Sequence, residues 1–155
     1  AGWKCNLPDI LAAIGRVQLT KADGFFEKRS RIARRLTEAF AHHDFLTTPP
    51  DSPGNAWHLY LIRIVPELLD IGRDEFADEL QTKGLGTSMH FIPHFEMTYI
   101  KERYRLSRED FPEAARNYET TITLPFWPDR PDEMVERVID IVVETGKRHY
   151  KGSAT

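Results

Sequence analysis

The order in which helical and extended patterns follow one another is what most constrains this chain. Phe25, Ile32, Leu36 and Phe40 recur at the spacing of one helix face, up to about His43. An earlier helix is expected over residues 7–18. Asn6 can cap it, Pro8 suits the first turn, and Asp9 lies at the positive end of the dipole. Ile10, Ile14 and Val17 fall on one stripe of that helix, and Ala12, Ala13 and Gly15 keep it thin enough to pack closely on another helix. The periodicity then breaks. Leu46 to Asn55 holds three prolines and a glycine and reads as a loop.

Short extended and helical runs alternate after that loop. Ala56 to Val65 reads as a strand with two apolar faces, Trp57, Leu59, Leu61 and Val65 on one and His58, Tyr60, Ile62 and Ile64 on the other, as in a buried strand. Asp74 to Lys83 is an expected helix ended by Gly84, and Gly86 to Ile92 a second strand stopped by Pro93. Phe111 to Tyr118 is an expected helix and Thr121 to Leu124 a short strand. The last helix runs from Pro131 to Thr145, with Val135, Val138, Ile139 and Val142 inward and Gly146 as its stop. Long N-terminal helices followed by a small sheet covered by helices make an α+β architecture. The 155 residues suit one domain, with a helical segment over 1–45 and a small α+β unit over 46–150.

Composition narrows the function classes. Hydrophobic residues at 41% and charged residues at 29% are ordinary for a soluble globular protein. A net charge of -3 gives no bulk attraction for a polyanion. The one counter-signal is basic. From Arg16 to Arg35 there are seven cationic residues, among them Lys28, Arg29, Arg31, Arg34 and Arg35, against Asp23 and Glu27. Such a run can bind nucleic acid, but no stacking aromatics are interleaved and only part of it shares a helix face, so a solvated helix face is expected instead. Cys5 is the only cysteine, which excludes an intrachain disulfide. No apolar run approaches the ~20 residues of a membrane span, and no basic-then-apolar leader pattern opens the chain. A cytoplasmic setting without a membrane partner is the resulting expectation.

Three places can carry chemistry. The first is Lys4 with Asn6. A helix N-terminus favours anions through its free N–H groups and its dipole, and a nearby amide and ammonium could hold a phosphate there; the competing reading is a simple cap beside a solvated lysine. Nothing around Lys4 argues for the desolvated, depressed-pKa amine that a Schiff base requires. The second is Met89-His90-Phe91-Ile92-Pro93-His94. Two histidines four apart suggest a metal pair, but Pro93 bars a continuous helix and no carboxylate motif accompanies them, so no metal site is expected. The third is Trp57 to Tyr60 with Arg63, read mainly as core strand, although Arg63 could pair with a substrate carboxylate. There is no glycine-rich phosphate loop, Cys-x-x-Cys or Gly-x-Ser-x-Gly.

Taken in order, Gly2-Trp3-Lys4-Cys5-Asn6, then Gly86-Thr87-Ser88-Met89-His90-Phe91-Ile92-Pro93, then Leu124-Pro125-Phe126-Trp127-Pro128 resemble the C-terminal part of the DegT/StrS family of pyridoxal-phosphate-dependent sugar-nucleotide aminotransferases. The resemblance runs from Gly2 to about Val143. It implies the C-terminal small domain of a fold-type I, aspartate-aminotransferase-like enzyme. It implies a homodimer in which Asn6, with Lys4 second to it, contacts the cofactor phosphate across the interface, and it places His90 and Phe91 on the sugar side of the active site. His94 departs from the pattern, since the family's second histidine falls where Phe95 stands here. The implied reaction moves an amino group from glutamate to a nucleotide-linked keto sugar through pyridoxal phosphate. The family's aldimine lysine, on a Ser-x-x-x-x-Lys segment, has no match in these residues. The chain is therefore expected to be a C-terminal fragment, inactive alone, with the cofactor-binding large domain outside it. A standalone binding or dimerisation module, and less so a nucleic-acid binder using residues 28–35, are the alternatives.

Overall fold

The structure, a computed structural model, describes residues 6–153. Two helices come first, α1 (Asp9–Leu19) and α2 (Ala22–Phe40), followed by β1 (Leu46–Thr47), β2 (Tyr60–Ile64), α3 (Arg73–Thr82), α4 (Thr98–Tyr104), α5 (Pro112–Thr120), β3 (Thr121–Leu124) and α6 (Asp132–Arg148). This is the α+β arrangement expected, helices first and then a small sheet.

The sheet is antiparallel, in the order β1-β2-β3. Its register separates two faces, because strand side chains alternate with period two. Leu46 pairs Ile64, Ile62 pairs Ile122 and Tyr60 pairs Leu124, so these six share one face, and all are buried. Phe76 and Leu80 of α3, Leu36 and Phe40 of α2, and Val135, Val138 and Val142 of α6 complete the same core. A side chain of this size contributes about 1.5–3 kcal/mol when fully buried. The second face carries Thr47, Arg63, Leu61, Thr121 and Thr123.

Five local expectations are corrected. The strand expected over 56–65 begins only at Tyr60, because the chain turns at Trp57. Trp57 has a φ of 50°, its N–H donates to Asn55 Oδ1 at 3.0 Å, and its ring stacks on Tyr60. Only one face of this strand is apolar and buried, since Arg63 is exposed. The strand expected over 86–92 reduces to a single bridge, Ser88 to Thr123. Thr123 spends its N–H and C=O on Ser88, at 2.8 and 3.2 Å, and Pro93 has no N–H to extend the ladder. The expected loop over 46–55 opens with the two residues of β1. The final helix continues through Gly146 to Arg148 instead of stopping there. Helix α4 had no apolar stripe to announce it.

The basic run has a structural partner. Lys28 pairs with Asp129 at 2.5 Å, Arg31 with Asp132 at 2.6 Å and Arg35 with Glu136 at 2.5 Å. Each pair is separated by 101 residues. A constant offset means that α2 runs parallel to the 129–136 segment that starts α6. By contrast, no residue of α1 is buried, and Ile10, Ile14 and Val17 are each more than half exposed.

Candidate functional site

The second face of the sheet holds the candidate site. Met89, His90, Phe91 and Pro93 on one side, and Asn117, Tyr118 and Thr121 on the other, line a groove of about 320 Å³. The bridge between Ser88 and Thr123 brings the first segment there, and α5 brings Asn117 and Tyr118.

His90 is half-buried and its Nδ1 lies 2.9 Å from Thr123 Oγ1. Phe91 is 76% exposed and meets the His90 ring edge-on, with centroids 4.7 Å apart. The peptide bond between them is cis. Asn117 Oδ1 accepts a hydrogen bond from Arg63 Nη1 at 2.8 Å. Arg63 therefore serves this groove through Asn117, a link that the sequence did not suggest.

Arg73 is the residue that sequence reasoning missed. It is only 8% exposed, pairs with Asp74 at 2.6 Å, and lies 5.2 Å above the Tyr118 ring. Its Nη1 contacts Met89 Sδ and reaches the Thr121 carbonyl at 3.5 Å. It thus places a guanidinium directly behind three lining residues. It opens α3, one residue before the helix start expected at Asp74.

The other expected residues lie apart. His94 sits in a short turn, His94–Glu96, and lines a separate groove with Ile92, Phe95 and Phe111. Among the described residues no group of histidine, cysteine and carboxylates is arranged for a metal. Asn6 does not cap α1. Pro8 holds that position with extended backbone, no side chain supplies a capping hydrogen bond, and Asn6 is exposed two residues upstream. Lys4 lies outside the described residues.

Nearby, Leu124-Pro125-Phe126-Trp127-Pro128 is locked from behind by Arg130. Its guanidinium is buried against the Trp127 ring at 4.5 Å and donates to the Pro125 carbonyl; burial holds its pKa below the usual arginine value.

The sequence profile of one family, the DegT/DnrJ/EryC1/StrS aminotransferases, matches residues 1–143. The chain belongs to this family. An uncharacterized protein of Methanocaldococcus jannaschii is 37% identical over 143 residues, covering 91% of this chain and 37% of its relative. The spore coat polysaccharide biosynthesis protein SpsC of Bacillus subtilis is 35% identical over 144 residues, with the same coverage of 91% and 37%. Among solved structures, a Streptococcus pneumoniae protein named as a sugar aminotransferase, in its PMP form, superposes with a TM-score of 0.84 at 26% identity, over 94% of this chain and 37% of that one. The chain thus spans little more than a third of the length of its relatives and shares their aminotransferase fold. Among the described residues no helix is long and apolar enough to cross a membrane.

Pyridoxal phosphate, the cofactor of this family, needs a hold on its phosphate and an amine for its aldehyde. Asn6 fits its phosphate end, since its amide is exposed before an uncapped helix N-terminus. A Schiff-base lysine needs a desolvated amine. Among the described residues every lysine is exposed except Lys83, which pairs with Glu144 at 3.2 Å. These residues therefore fit the phosphate but not the aldehyde.

Proposed function

We propose that this chain is the substrate-side portion of a sugar aminotransferase that moves an amino group from glutamate to a nucleotide-linked keto sugar. The observation that carries the reading is the groove at His90 and Phe91, a polar ring beside an exposed aromatic, in a chain of this family. His90 and Phe91 line the sugar side. Asn6, with Lys4, holds the cofactor phosphate of a partner subunit in a homodimer. Pyridoxal phosphate, when bound, supplies the electron sink for amino transfer.

The exposed stripe Ile10, Ile14 and Val17 on α1 supports docking against the remainder of such an enzyme. The ion pairs that occupy Lys28, Arg31 and Arg35 weigh against a nucleic-acid role for the basic run. Residues 1–155 alone have no aldimine lysine and are inactive in this reading.

A chimera tests it: this chain replaces the matched 144 residues of the Bacillus subtilis relative. Glutamate should convert the cofactor to its pyridoxamine form, seen by absorbance, and Asn6→Ala should weaken cofactor retention. A folded, cofactor-loaded chimera that ignores glutamate would sink the proposal, as would glutamate turnover by highly purified residues 1–155.

A further inference from the structure

Two hydrogen bonds at the groove have directions that their surroundings decide. Thr123, in β3, is 3% exposed. Its backbone groups are both spent on Ser88, and among the described residues its hydroxyl has one partner, His90 Nδ1 at 2.9 Å. A hydroxyl both donates and accepts, whereas each imidazole nitrogen does one or the other. If Nδ1 carried the proton, the threonine oxygen would accept it and the hydroxyl proton would be buried without an acceptor. Buried donors are nearly always paired, because leaving one unpaired loses its hydration with no return. If Thr123 donates, both atoms are satisfied and the imidazole proton resides on Nε2.

The second bond has the same logic. Guanidinium groups only donate, so Arg63 Nη1 commits Asn117 to present Oδ1 toward it, at 2.8 Å. The amide nitrogen of Asn117, with its two N–H donors, is what remains for the groove that Asn117 and His90 share. Phe91 packs edge-on against the His90 ring.

We infer that Thr123 and Arg63 are positioning residues that make His90 and Asn117 hydrogen-bond donors toward the groove. Thr123 fixes His90 as the Nε2–H tautomer, and Arg63 fixes the orientation of the Asn117 amide. The group seated between them is an oxygen acceptor, such as a keto or ring oxygen. The inference rests on the reading of this groove as the sugar side, but it concerns proton placement and is tested without cofactor or turnover.

The experiment is long-range proton–nitrogen correlation NMR on the imidazoles of the chain, with His90 assigned by the signals lost in His90→Gln. The expected result is an Nε2–H pattern for His90. Thr123→Val should move it toward a tautomer mixture, and Thr123→Ser should restore it. An Nδ1–H pattern in the parent chain overturns the inference, as does an unchanged pattern in folded Thr123→Val. If Thr123→Val fails to fold, the parent pattern decides alone. Two ring probes then separate donor from acceptor. Tetrahydropyran-4-one, a neutral keto acceptor, should shift the His90 and Asn117 side-chain signals, and piperidinium, which only donates, should not. The reverse result, or no shift with either probe, overturns the inference. Failure of the chimera above would leave these outcomes standing.

Discussion

The ring of Phe45 occupies the space where a side chain at Gly146 would begin. A Cβ built at position 146 would collide with three ring atoms of Phe45, which is itself only 3% exposed. Gly146, in the last turn of α6, is thus the contact point between α6 and the segment entering β1.

Gly146→Ala should therefore destabilise the fold although alanine is the better helix former. Helix propensity favours alanine by about 1 kcal/mol, while overpacking a buried site costs about 1–3 kcal/mol. The expected net loss is up to about 2 kcal/mol, read from urea midpoints. Phe45→Leu in the same chain should recover part of it. Strictly additive losses would contradict the contact.

His149 bridges two carboxylates, with Nδ1 2.6 Å from Asp70 and Nε2 2.6 Å from Glu79. Burial alone would lower its pKa, but the hydrogen bonds to Glu79 and Asp70 outweigh burial and raise it above the usual histidine value. The folded state then holds the proton more tightly than the unfolded state. The stabilisation is fully present below the unfolded value of about 6.5 and is lost as pH rises through the raised folded value. Denaturation midpoints should fall as pH rises above about 6.5, and His149→Gln should flatten that fall. A slope that survives in the variant would assign the effect to another group.

Tyr60 is fully buried, and its hydroxyl lies 2.8 Å from Thr37 Oγ1. Burial pushes its pKa up to about 12, opposed by the Thr37 bond. Its stabilisation is complete below the unfolded value of about 10 and declines as pH rises toward the folded one. Tyr60→Phe should remove that alkaline decline and cost about 1 kcal/mol at neutral pH through the lost hydrogen bond. Guanidinium melts at neutral and alkaline pH check both effects; an undiminished decline in the variant would refute the assignment.

The three acids facing α2 should keep the basic run from binding polyanions. Duplex DNA binding by the parent chain is expected to be weak, without the steep salt dependence of phosphate contacts. Replacing Asp129, Asp132 and Glu136 by their amides frees Lys28, Arg31 and Arg35 and should create salt-sensitive binding. Tight, salt-sensitive binding by the parent chain would reopen the nucleic-acid reading.

Much of this protein was legible before folding. Helical spacing located α1, α2 and α6 to within a few residues, because an amphipathic stripe is written in the sequence itself. The family was legible from three ordered segments, and His90 and Phe91 stood out within one of them. The tertiary structure decided what depends on partners far away in sequence. A strand needs an edge to pair with, so residues 86–92 kept one bridge where a strand was expected. A helix ends where its packing ends, so α6 ran through Gly146 under the Phe45 ring. Arg31 and Arg35 read as solvated cations until Asp132 and Glu136, 101 residues on in each case, came opposite them. Arg63, Arg73 and Thr123 gained roles only when folding set them beside Asn117, Tyr118 and His90. Local periodicity fixes which residues turn inward; the identity of the neighbour they meet there is a non-local fact, settled by the packing of the whole core.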